Sequence, residues 1–90
     1  MYVKSAELRF YNHYAVSLKD KRQILRSLID KTRRRFNASV AETGSQDLPQ
    51  TITIGVAVVS GDISHAGRML DNIIRFMEVN ADAELTEVIK

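Results

Sequence analysis

No cysteine occurs among the 90 residues, which excludes disulfides, iron–sulfur clusters and thiolate metal sites. One proline and four glycines leave no material for a flexible linker or a low-complexity tail, so residues 1–90 read as a single domain. The two histidines, His13 and His65, are far apart and neither has an H-x-x-x-H partner, so no metal site is expected. Neither a G-x-S-x-G elbow nor a G-x-G-x-x-G fingerprint is present, and the expectation is a protein that is not an enzyme and holds no cofactor. No apolar run reaches membrane-spanning length. The opening MYVKSAELRF lacks an apolar stretch of signal-peptide length, so a cytoplasmic location and no membrane partner are expected.

What the chain does have is a concentration of positive charge. Residues 17–36, SLKDKRQILRSLIDKTRRRF, carry eight of the thirteen Lys and Arg residues against two acids, Asp20 and Asp30. The stretch is therefore about +6 within a chain of net charge +2, and the remainder sums to about −4. Such a split points to an anionic partner.

The same stretch is the clearest helix. Ser17 is placed to cap it, with Asp20 in the first turn where the helix dipole favours a carboxylate. At about 100° per residue, Leu18, Ile24, Leu25, Leu28, Ile29, Thr32 and Phe36 share one arc, and Lys21 falls inside it. Lys19, Arg22, Arg26 and Arg33 share the opposite side as a basic ridge, at spacings of three, four and seven residues. Asn37 is expected to end the helix in a left-handed conformation.

Around this helix the pattern gives four strands and a second helix. Residues 2–10 alternate, with Ala6, Leu8 and Phe10 on one face and Ser5, Glu7 and Arg9 on the other. Residues 11–16, YNHYAV, form a loop whose aromatics are expected to close the end of the core. Residues 38–43 read as a short strand, and GSQDLPQ supplies the turn after it. TITIGVAVVS, residues 51–60, is a nearly continuous β-branched run and reads as a central strand. Asp62 or Ser64 then caps a second helix striped by Ile63, Ala66, Leu70, Ile73, Ile74 and Met77, and residues 83–90 close as an edge strand.

The resulting order, β-α-β-β-α-β, is the ferredoxin-like α+β arrangement: a four-stranded antiparallel sheet with two helices on one face. The other face is expected to be open and to carry mostly small residues, among them Ser39, Ala41, Thr43, Gly55 and Ala57. It offers no aromatics for base stacking, so an RNA-recognition mode through that face is disfavoured. Enzymes of this topology that cradle phosphate in the first loop need glycine there, and YNHYAV has none.

Several segments together resemble the YlxP-like family of small bacterial proteins: SLKDKRQILRSLIDKTRRRFNASVAE, QDLPQ, GVAVVSGD, MLDNIIRFMEV and AELTEVI. The resemblance implies a ferredoxin-like fold and a family of unknown function. Genes of the family often lie near those for translation initiation and ribosome maturation factors, which implies a ribosomal partner and supplies no catalytic residue.

Two expectations follow. The first is a non-catalytic cytoplasmic protein that contacts RNA or a ribosomal subunit through Lys19, Arg22, Arg26, Arg33 and Arg34. The alternative is a homodimeric interaction module that uses the open sheet face, with the first helix merely solvated.

Overall fold

A computed structural model describes residues 1–90. Its elements are β1 (Tyr2–Tyr11), α1 (Leu18–Arg35), β2 (Ser39–Gly44), β3 (Thr51–Ser60), α2 (Ile63–Asn80) and β4 (Glu84–Ile89). The strands form one antiparallel sheet in the order β2-β3-β1-β4, the ferredoxin-like topology. The β-branched run of β3 pairs on both sides and sits centrally, as its composition requires.

Period-two alternation sends Ala6, Leu8 and Phe10 of β1, Val40 of β2, and Ile52, Ile54, Val56 and Val58 of β3 to one face. There they form a single core with Leu25 and Leu28 of α1 and Ala66, Leu70, Ile73 and Met77 of α2, so both helices cover that face. Ile63 is half exposed and belongs to the cap of α2 rather than to its buried stripe. Asp62 is the cap itself, its carboxylate accepting from the backbone N–H groups of Ser64 and His65.

Two expectations at the helix and loop ends are corrected. α1 ends at Phe36 in an extended conformation, and its N–H donates to the Thr32 carbonyl, so Asn37 does not close the helix left-handed. The left-handed residue is Ser45 (φ 59°), in the β2–β3 turn. In the first loop, Tyr14 is 89% exposed, while Asn12 and Ala15 are buried. Small and hydrogen-bonding groups close this end of the core. Asn12 donates its backbone N–H to the Gln50 carbonyl at 2.8 Å, and its Oδ1 accepts from the Tyr14 N–H at 2.9 Å. Tyr11 instead stacks edge-on against His13 (4.7 Å between ring centroids), and His13 lies 2.9 Å from a Glu84 carboxylate oxygen.

On the open face β2 bulges at Thr43, where the register with β3 shifts between Glu42 and Gly44. The Thr43 hydroxyl donates to Glu7 at 2.8 Å, which fixes its rotamer. A Cβ added at Gly55 would lie 2.5 Å from the Thr43 methyl, so glycine is required here by close approach. Gly55→Ala is expected to lower unfolding stability by about 1–3 kcal/mol through overpacking. Thr43→Ala in the same chain should recover most of that loss. Urea denaturation of the single and double variants checks this: equal losses in both would place the strain elsewhere.

Candidate nucleic-acid interface

α1 is fixed by its ends and by one buried row. At the start, the Ser17 hydroxyl accepts from the Asp20 N–H at 3.2 Å, while the Asp20 carboxylate accepts from the Val16 N–H at 3.2 Å. The buried row is Lys21, Leu25, Leu28 and Thr32, spaced four, three and four residues apart. The Thr32 hydroxyl donates to the Leu28 carbonyl at 2.7 Å and so enters the core satisfied. With this row against the sheet and α2, the opposite side of the helix faces solvent.

Lys19, Arg22, Arg26, Arg33 and Arg34 are all exposed. No carboxylate oxygen lies within 4.0 Å of Lys19, Arg22, Arg26 or Arg34; outside the helix Arg9, His13 and Lys90 each sit beside one, and Lys4, Arg68 and Arg75 do not. Side chains three and four positions apart stand roughly 5–6 Å from one another at Cβ. Lys19, Arg22 and Arg26 therefore form a cationic strip without a direct ion pair, and exposed Asp30, four residues on from Arg26, is the one acid on the same face. Its length suits a run of phosphates.

The three serial arginines divide into different roles. The Arg33 guanidinium donates to the Val40 carbonyl of the edge strand β2 at 2.6 Å. Arg35 lies over the rings of Phe76 (5.7 Å) and Phe36 (6.0 Å), which meet edge-to-face at 5.3 Å. All three occupy the last turn of α1, where the helix dipole favours cations. Repulsion along the run is thus offset by the helix terminus, an edge carbonyl and an aromatic pair. Arg34 is left with no partner. Arg33 remains exposed and keeps further donors, because a guanidinium carries five N–H groups.

Lys21 is the residue whose fate the sequence left open. Its side chain is 2% exposed, its ammonium lies 3.3 Å from Glu42 Oε2 and it donates to the Ser45 carbonyl. The Ser45 hydroxyl in turn meets that of Thr53 at 2.8 Å, and Thr53 is buried. This cluster ties the first turns of α1 to the β2–β3 turn, where the left-handed Ser45 offers its carbonyl to Lys21. Glu42 was not singled out from sequence, although it shares the parity of Val40 and so faces the helices. Lys21 is accordingly not part of the cationic strip.

The architecture defines a small ferredoxin-like α+β protein whose first helix presents an exposed basic strip. The chain belongs to the family described as proteins of unknown function DUF503, whose model matches residues 3–89. It is 31% identical over 81 residues to the uncharacterized protein YlxP of Bacillus subtilis (strain 168), covering 90% of this chain and 88% of that protein. Among solved structures, the de novo designed protein Ferredog-Diesel aligns with 99% of this chain and 85% of its own length, at 13% identity and a TM-score of 0.44.

Proposed function

We propose that this protein is a non-catalytic, cytoplasmic RNA-binding protein that docks on phosphates, those of a ribosomal subunit foremost, through Lys19, Arg22, Arg26, Arg33 and Arg34. The observation that carries the reading is the concentration of cations on one helix, eight against two acids over residues 17–36, with no carboxylate within 4.0 Å of Lys19, Arg22, Arg26 or Arg34. Arginine favours this use because its planar fork matches a phosphate in a bidentate way. Contacts to phosphate position a protein without reading bases, so affinity should vary little with sequence.

Salt dependence tests this directly. Three or four phosphate contacts to single-stranded RNA predict a log–log slope of affinity against salt of roughly −2 to −3. Between 50 and 200 mM salt that slope weakens binding by roughly 15- to 60-fold. Fluorescence anisotropy with a labelled unstructured RNA measures the slope. A slope near zero, or no binding at 50 mM salt, would sink the proposal.

A further inference from the structure

We propose that the first half of β1 is an association edge that takes the same segment of a second copy of this chain. β1 pairs with β3 over its whole length, from Tyr2 opposite Ser60 to Tyr11 opposite Thr51. On its other side β4 covers only Glu7 to Tyr11, so Tyr2 to Ala6 present an unpaired edge. A row of open backbone donors and acceptors is a template for another strand. Tyr2, Val3, Lys4 and Ser5 are all exposed.

The side chains say which strand fits. Antiparallel pairing of β1 with its own copy has a two-fold axis through one residue of the segment. An axis at Lys4 sets two ammonium groups directly opposite, which is unfavourable. An axis at Val3 sets Val3 against its copy and Tyr2 against Lys4 of the other chain, an aromatic–cation pair on each side. Met1 then stands opposite Ser5, and no like charges oppose each other in that register.

A separate observation on the other strand agrees. Val3 pairs with Val59 of β3, and the two are 55% and 57% exposed, large apolar side chains standing together on the open face. Across the two-fold at Val3 they become a row of four valines, Val59 and Val3 from each chain, spanning four adjacent strands. The same register therefore accounts for both exposed valines and for the open edge. The seam lies on residues other than the α1 cations, so it neither needs nor excludes RNA binding.

Sedimentation velocity on the wild-type chain should give a species of twice the 10.2 kDa chain mass at about 100 μM, dissociating on dilution. Val3→Lys, at an exposed position, should remain folded by circular dichroism and sediment as a monomer. Because the chain has no cysteine, Val3→Cys should form a covalent dimer on mild oxidation. Val59→Cys should not, since its copy lies three strand spacings away, about 14 Å and beyond disulfide reach. A wild type that stays monomeric at 100 μM would overturn the proposal, as would faster cross-linking of Val59→Cys than of Val3→Cys. The second result would indicate packing of the open faces against each other.

Discussion

Replacing Glu42 by glutamine should destabilise the protein by about 3 kcal/mol, the low end of the cost of stranding one member of a buried ion pair. The Lys21 side chain is 2% exposed, so its ammonium has no water to turn to when the carboxylate is removed. The Ser45 carbonyl remains as an acceptor, and one dipole does not replace a charge. For a chain of 90 residues that loss corresponds to a fall in Tm of roughly 12–24 °C. Lys21→Met should cost much less. The methionine fills the space of the lysine stem. Glu42 Oε2 is buried where it faces the ammonium, but the side chain as a whole is 23% exposed, so a change of rotamer brings the carboxylate to water. The double variant Lys21→Met, Glu42→Gln should be more stable than Glu42→Gln alone, because no charge is then stranded. A double-mutant cycle by chemical denaturation measures this. Equal losses for Lys21→Met and Glu42→Gln, with no coupling between them, would show that the pair does not act as a unit.

The second large effect concerns the exposed strip. Arg22→Glu, Arg26→Glu and Arg34→Glu together should weaken RNA binding by at least ~100-fold at low salt and flatten the salt slope towards zero. These three positions are exposed and lack a carboxylate partner, so the variant should keep the fold of the wild type. Arg33 is a poorer choice, because losing its bond to the Val40 carbonyl would disturb the β2 edge as well as the charge. A control reversing Arg68 and Arg75 of α2 changes net charge without touching the strip. The strip variant changes the net charge by six units and the control by four, so binding that falls in proportion to the charge removed in both would mean that net charge alone governs association.

Much of this was legible in the sequence, and the physical reasons are specific. β3 spans residues 51–60 as its β-branched run implies, because nothing but a central strand buries that pattern. The buried row of α1 and the stripe of α2 follow from helical spacing, apart from Ile63, which the cap holds out of the core. The exposed cations of α1 were readable from the same wheel. What could not be read were properties set by contacts between distant segments. Lys21 fell inside the apolar arc, but its burial depends on Glu42 and Ser45, more than twenty residues away. The division of labour among Arg33, Arg34 and Arg35 depends on Val40 and Phe76, which no local pattern links to them. In the first loop, aromatic content pointed to the tyrosines and His13 as the closing groups, yet Tyr14 is exposed. Asn12 takes the role because it can satisfy backbone groups at the strand end as well as fill space.

The most direct test of the basic strip is co-sedimentation of the purified protein with small ribosomal subunits across a salt series, beside the folded Arg22→Glu, Arg26→Glu, Arg34→Glu variant. Wild-type protein should pellet with the subunits at low salt and be released as salt rises, and the variant should stay in the supernatant throughout. Equal pelleting of the two proteins, or none of either at low salt, would contradict an RNA-binding role for α1.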